Sequence, residues 1–442
     1  MLPAPRALPA LLTMRGEKWA SQHETKSRDA RFQTRATAIP LSVCSFLSAD
    51  DGFVPSLESR SDAKIDATKG LNVADIFKFG IEEEFFLVDA DTKSAARAMP
   101  AAFLRAAKEA TGGQVSGELL QSQVEIATLP HTDMATAREE LRFLRQTVAR
   151  IAAEYGLAIL AAGTHPTAVW GDMQQTESER YDAVMHDLQM IGQRNMLCGM
   201  HVHVELPDPD ERVDVMTRML PYLPLFVALA TSSPFWSSRP TGLKGYRLAA
   251  YDELPRTGVP ELFRTKEEFD AYVAALVRAG VMEDASYVWW AIRPSLEHPT
   301  LELRAPDCCT LVEDTIAIAA LYRVLARYLT RNPLVNQNIG AVERAIAVEN
   351  KWRAQRYGVH GTFVSEIGAV SVAEMLDQLL EEIAPDAAAL GCLGELRHCR
   401  TIVGAGTSAD TQLAVFEQHR HGGSHARALR AVTDWIAAAT LQ

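Results

Sequence analysis

The chain has 442 residues, 48% of them hydrophobic and 23% charged, so it can bury a sizeable core as one large or two fused domains. Its formal net charge of −12 argues against a nucleic-acid partner held by bulk charge, but admits an anion such as ATP bridged by a metal ion. No run of about 20 apolar residues is present, so no transmembrane span is expected, and the six cysteines form no C-x-x-C pair, which points to buried thiols in a reducing, cytoplasmic compartment.

Residues 1–70 mix Arg, Ser, Ala, Pro and Asp without period and read as a disordered extension. Residues 71–442 read as a single catalytic domain. "KFGIEEEFFLVD" predicts a strand, and "QVEIATL" (123–129) predicts a second. Residues 131–156 carry helical period, and Gly156 ends it. "LAILAAGTHP" reads as a third strand and the strictly alternating "MHVHVEL" (200–206) as a fourth. A helix disturbed by prolines is expected from Asp208. "TKEEFDAYVAALVRAG" opens on a capping box, Thr265 to Glu268, and closes on Gly280. "HPTLELRAP" (298–306) is another alternating strand; a second box, Thr310 to Glu313, then opens a nearly all-helical remainder. Strands early and helices late indicate an α+β class rather than repeated βαβ units.

Strand side chains alternate between faces. That rule groups Glu82 with Glu84, Glu125 with Gln123, His201 with His203 and Glu205, and Glu302 with Arg304, each opposite apolar neighbours. Glu83 falls on the other face and needs a structural partner. One such strand is most often a solvated sheet face. Four that pair would merge into a surface of crowded carboxylates, which repel and shift one another unless cations intervene. The donor set is mostly oxygen with one or two imidazoles, which favours Mg²⁺ or Mn²⁺ over zinc. Weaker candidates are "TGLKGYR", carrying Arg247, and "NKWRAQRYG", carrying Arg353 and Arg356 at a helix end. Neither a P-loop nor a Rossmann fingerprint occurs.

Taken in order, "GIEEEFFLVD", "QVEIAT", "GTHP", "MHVHVEL", "SSPFW", "WWAIRPSLEHPTLELRAPD" and "NKWRAQRYG" resemble glutamate–cysteine ligase family 2, in particular its carboxylate-amine ligase subgroup. The similarity runs from about Phe77 to the C-terminal helix near Gln442. It implies a glutamine synthetase-like fold, a curved, mainly antiparallel sheet with helices on its outer face and a helical C-terminal part. It also implies ATP-dependent amide formation through an acyl phosphate, with Mg²⁺ or Mn²⁺ as cofactor and L-glutamate and L-cysteine as default substrates. Residue by residue, the resemblance assigns Glu82, Glu84, Glu118, Glu125, His201 and Glu302 to metal, and Glu302 and Arg304 to catalysis. Arg247, Arg353 and Arg356 are the candidates for phosphate or substrate carboxylate. Glu205, where Gly is frequent, and the Cys308–Cys309 pair depart from the family pattern and bear on substrate identity. Two other readings stay open: a metal-dependent phosphotransferase, which would form ADP without an amide, and a nucleotide-binding protein without turnover. The sequence specifies no nucleic-acid or membrane partner, and a homo-oligomer is compatible with it.

Overall fold

The computed structural model describes residues 77–442 apart from Ile367 and Gly422. The expected extension of residues 1–70, and Cys44 with it, lie outside the described residues.

Eleven strands are described: β1 (Phe79–Asp89), β2 (Val115–Gly117), β3 (Gln123–Ala127), β4 (Leu157–Leu160), β5 (Met200–Glu205), β6 (Phe235–Trp236), β7 (Arg239–Pro240), β8 (Ile292–Pro294), β9 (Thr300–Leu303), β10 (Thr362–Ser365) and β11 (Gly368–Ser371). Seven form one antiparallel sheet in the order β2-β3-β1-β5-β9-β8, with β4 pairing the far end of β1. β1 is long enough to be shared. Its first half lies between β3 and β5, and its second half takes β4 opposite Phe86 to Asp89. The pairs β6–β7 and β10–β11 make two small hairpins apart from this sheet.

Alternation decides what each face meets. Ile81, Phe85, Val202, Val204, Leu301 and Leu303 point to the back and are at most 1% exposed. Helices Met134–Glu154 and Val312–Arg331 close that side. The first is capped by Asp133, which accepts from the Thr136 amide at 2.8 Å. The chain leaves it through Gly156, whose φ of 70° is the left-handed conformation that glycine adopts without steric cost.

Glu83 also points to the back and is fully buried. Arg145, from the middle of helix Met134–Glu154, meets it with a two-pronged ion pair, Nε to Oε2 at 2.8 Å and Nη2 to Oε1 at 2.6 Å. The remaining Arg145 donors go to the carbonyls of Cys309, Thr310 and Thr440 at 2.8, 2.8 and 3.1 Å. Thr315 Oγ1 adds a 2.6 Å bond to Glu83. All five guanidinium donors are thereby used, the condition under which a buried charge pair is tolerated.

The proline-rich stretch after Asp208 is broken into short pieces, Pro209–Glu211, Arg212–Met219, Leu220–Tyr222 and Leu223–Leu229. Both expected capping boxes are corrected. Thr265 does cap helix Lys266–Arg278, accepting from Glu268 N, but Glu268 turns back to the Arg264 amide instead of Thr265. Thr310 caps nothing: its hydroxyl donates to the Ala161 carbonyl and pairs with Ser408, while Glu313 binds Arg138 and Arg142. The late part is helical except for the β10–β11 hairpin, which Asn350 fastens by paired hydrogen bonds to the Val364 backbone at 2.9 and 2.7 Å. Among the described residues no helix is long and apolar enough to cross a membrane. The five described cysteines are buried and unpaired.

Candidate active site

Antiparallel register turns six separate strands into one row of chemistry. Across the front of the sheet, Ser116 sits opposite Glu125, Glu125 opposite Glu84, Glu82 opposite His201, His203 opposite Glu302, and Glu302 opposite Arg293. Directly opposed side chains lie about 5 Å apart, and residues two apart along a strand about 7 Å. The row floors a cavity of about 440 Å³ that also takes in Glu118, Arg180, Tyr181, Arg247, Tyr251 and Arg304.

The carboxylates divide by how they are compensated. Glu302 is 2% exposed and bracketed by cations: Arg293 Nε reaches its Oε2 at 2.8 Å, and Arg304 Nη1 binds its Oε1. Burial pushes this carboxyl up, but the two guanidiniums outweigh burial and hold it well below the usual range. Burial likewise raises Glu82, and the imidazoles of His201 and His203 beside it more than reverse that. Glu118 and Glu125 have no such partner. Burial, joined by the charge of Glu84, pushes Glu118 up to about 7. Burial and the neighbouring charges of Glu118, Glu82 and Glu84 push Glu125 well above the ordinary range. Glu84 is held in place by the Gly199 amide at 2.6 Å, and Glu125 by the Ser116 hydroxyl at 3.2 Å.

Two imidazoles point into this acidic row. His201 Nδ1 lies 3.0 Å from Glu82 Oε2, and its Nε2 faces Glu84 Oε1 at 3.7 Å. His203 Nδ1 is fixed by Thr300 Oγ1 at 2.8 Å, leaving Nε2 3.3 Å from Glu82 Oε1. Both Nε2 atoms are buried and neither finds hydrogen-bond geometry. A fixed imidazole whose other nitrogen is aimed among carboxylates without a hydrogen bond has the arrangement of a metal ligand with an outer-shell support.

Three ligand groups come within coordinating reach of one another: Glu84–Glu118–Glu125, Glu82–Glu125–His201 and Glu82–His203–Glu302. They share Glu82 and Glu125, so neighbouring cations could be bridged by single carboxylates. The chemistry of the donors fits a hard divalent cation such as Mg²⁺ or Mn²⁺.

The structure thus brings Glu82, Glu84, Glu118, Glu125, His201, Glu302, Arg304 and Arg247 to one cavity. Arg247 is 3% exposed. Its Nη1 donates to the Arg304 and Pro306 carbonyls at 3.3 and 3.1 Å, while its Nε is buried without a partner. Its guanidinium crosses Gly199 so closely that a Cβ there would lie 2.1 Å from Nη2, which is why that position, beside Glu84, has no side chain. Arg353 and Arg356 do not line the cavity. Arg353 donates to Thr362, and Arg356 lies exposed over the Tyr357 ring at 5.0 Å. Two residues were missed. His203 shares the His201 face by simple alternation. Arg293 lies in a three-residue strand ended by Pro294, too short to show a period.

The glutamate–cysteine ligase family 2 model matches residues 78–431. Relatives provisionally named glutamate–cysteine ligase 2 are similar along most of the chain. One from Bradyrhizobium sp. (strain ORS 278) is 59% identical over 85% of this chain and 90% of its own length. One from Rhodospirillum rubrum is 45% identical over 83% and 96%. Among solved structures, a bifunctional glutathione synthetase from Pasteurella multocida superposes with a TM-score of 0.64 at 15% identity, covering 83% of this chain and 53% of that one, so this chain spans about half its length. A glutamate–cysteine ligase from Francisella tularensis in complex with AMP gives 0.62 at 14% identity, covering 83% and 89%. These two share the fold, the glutamine synthetase-like antiparallel sheet with its helical C-terminal part. By the match of the family model to most of its length and by the identity of its relatives, the chain belongs to glutamate–cysteine ligase family 2 and is a carboxylate–amine ligase.

Proposed function

We propose that the chain uses ATP to join the carboxyl of L-glutamate to the amine of L-cysteine, and that its front-face row is the site of this reaction. The observation that carries the reading is the cluster Glu84–Glu118–Glu125, crowded and, among the described residues, without a salt bridge to lysine or arginine, beside Glu302 with its two arginines. Glu82, Glu84, Glu118, Glu125, His201, His203 and Glu302 would hold divalent cations. Mg²⁺ or Mn²⁺ bound there would neutralise nucleotide phosphates and the charge that develops in phosphoryl transfer.

The substrate carboxylate attacks the terminal phosphorus, the bond to ADP breaks, and an acyl phosphate forms. The amine then attacks the acyl carbon, the C–N bond forms and phosphate departs. No covalent bond to the protein is needed, so positioning and charge stabilisation carry the catalysis. Arg304 and Arg293, both steadied by Glu302, would face the transferring phosphoryl group. Arg247, held by two backbone carbonyls with its Nε unpartnered, would bind phosphate or substrate carboxylate. A cytoplasmic setting suits the buried, unpaired thiols.

The test is a trapping assay with ATP, Mg²⁺, hydroxylamine and a panel of carboxylates. Formation of γ-glutamyl hydroxamate supports the proposal. ADP formed without hydroxamate favours plain phosphotransfer, and ATP binding with no product from any acid contradicts ligation.

A further inference from the structure

The aim of His203 is set from outside the row. Its Nε2 lies 3.3 Å from Glu82 Oε1 while its Nδ1 is held by Thr300 Oγ1 at 2.8 Å. That hold matters, because χ2 of an imidazole is a broad, soft torsion. Thr300 opens β9 directly after the turn, residues 295–299, that leaves β8. His298 of the same turn meets the His203 ring edge-on, with centroids 5.8 Å apart. The turn and its last residue therefore touch His203 at two points. Leu296, Glu297, His298 and Pro299 are exposed, so the tip of the turn is held by hydrogen bonds rather than by core packing. Its internal closure is the Ser295 amide to the Thr300 carbonyl at 2.9 Å and the His298 amide to Ser295 Oγ at 3.3 Å.

Arg212 anchors this turn from a different part of the chain. It opens the helix Arg212–Met219, and its Nε donates to the Pro209 carbonyl at 2.7 Å, which fixes the guanidinium at the helix start. Its Nη1 then reaches three carbonyls around the turn, those of Ser295 at 3.1 Å, His298 at 3.1 Å and Thr300 at 3.3 Å. Converging carbonyl oxygens repel one another, and a charged donor in their midst holds them together. Two of the three carbonyls belong to His298 and Thr300, the residues that touch His203. Arg293 and Arg304 pair with Glu302, whereas Arg212 directs its donors to backbone carbonyls. Nor does Arg212 line the front cavity. It lines a separate one of about 360 Å³, and Ser295 and Leu296 line both, so the turn stands between the two. Any influence of Arg212 on the row passes through that turn.

We propose that Arg212 is a positioning residue for His203. By gathering the carbonyls of Ser295, His298 and Thr300 it fixes the turn, and through Thr300 and His298 it fixes the imidazole, so that Nε2 is presented with Glu82 and Glu302 to one divalent cation. This rests on the reading of the front-face row as a metal site. Coordination needs Nε2 without its proton, so the proton sits on Nδ1 and is donated to Thr300 Oγ1. With the turn released, the ring swings and both tautomers populate. The ligands are then all still present, but metal affinity falls because the site must be ordered each time it is filled.

The experiment is a double-substitution cycle read by calorimetric titration of Mn²⁺ into the metal-free, full-length protein. Arg212→Gln should lower the affinity of one site by about tenfold, the low end of what an outer-shell change costs. His203→Ala should lower it at least as far. In the His203→Ala background, Arg212→Gln should change affinity by less than about twofold, because the two losses share one cause. Arg212→Lys keeps the charge but not the planar fork, and should fall between the unaltered protein and Arg212→Gln. It carries the same cycle, with the same signs, should Arg212→Gln fail to fold. Nitrogen-15 NMR of the imidazoles adds a readout that stability alone does not move: His203 should carry its proton on Nδ1 in the unaltered protein and show a mixture of tautomers in the Arg212 variant. An equal loss of affinity with and without His203, or no loss in either background, overturns the role of Arg212. Mn²⁺ affinity indifferent to His203→Ala removes His203 as a ligand and the proposal with it. Absence of saturable Mn²⁺ binding in the unaltered protein overturns the metal reading itself.

Discussion

Consecutive residues of β1 meet opposite fates on the two sides of the sheet. Behind it, Glu83 is matched by Arg145 and Thr315, and every donor of Arg145 is spent. In front, Glu84 faces Glu125 and lies near Glu118, and among the described residues no lysine or arginine forms a salt bridge with this cluster, although the charge of Arg304 reaches Glu118. The back is electrostatically finished by the chain itself, whereas in front the Glu84–Glu118–Glu125 cluster is left crowded, with Glu118 and Glu125 pushed up by burial and by neighbouring carboxylates. A buried charge used for structure is recognised by its completeness, and one used for chemistry by what it still lacks.

The comparison breaks most visibly at Arg145. Arg145→Met strands a buried carboxylate, and unfolding in denaturant should show a loss of about 3–5 kcal/mol. Joining it with Glu83→Leu should recover much of that loss, because no charge is then left alone. The mirror experiment is Glu84→Gln. Its oxygen can still accept from Gly199, so the fold should persist with stability unchanged or raised. Metal-dependent turnover should drop by at least the ~10–100-fold that an outer-shell change costs. Unchanged kinetics would remove Glu84 from the site.

A third effect separates the faces by pH. A carboxyl raised by folding binds more protons folded than unfolded, between its ordinary value of 4.5 and, for Glu118, about 7. Stability of the metal-free protein from this group is therefore present below that window and lost as pH rises through it. Glu125 acts in the same direction. His165, lowered to about 4 by burial, acts in the opposite direction over the same window, so the carboxyl is isolated by comparison with Glu118→Gln. Without metal, the Tm of the unaltered protein relative to that variant should fall as pH rises from 4.5 to 7, and the relative fall should shrink with saturating Mg²⁺. A relative Tm that rises with pH across that window would contradict the raised carboxyl. The smallest change is Thr315→Val, which removes one bond to Glu83 and should cost about 1.5–3 kcal/mol while leaving turnover intact.

Much of this was legible in the sequence because it is written in period two. Glu82, Glu84, Glu125, His201, Glu302 and Arg304 lie on strands or at their ends, and alternation alone sorted them from Glu83. The register that sets Glu84 against Glu125 and His203 against Glu302 is not written locally. It arises when distant segments pair, so the partner of Glu83 could not be named either, since Arg145 lies 62 residues away on a helix. Helical arginines were the weak point. Arg353 and Arg356 share a cationic helix end, but that end abuts Thr362 and Tyr357 and not the cavity. Arg180 belongs to a helix whose inward face shows only after folding. Capping patterns failed where tertiary partners took the same atoms, as Arg138 and Arg142 took Glu313.

The central claim is that the front-face carboxylates await divalent cations. Calorimetric titration of Mn²⁺ into metal-free protein at pH 7, repeated in buffers of different ionisation enthalpy, tests it directly. The account predicts saturable binding at more than one site, with protons released as Glu118 and Glu125 ionise, and binding weakened by Glu84→Gln or Glu125→Gln. No saturable binding, or binding indifferent to both substitutions, would contradict it.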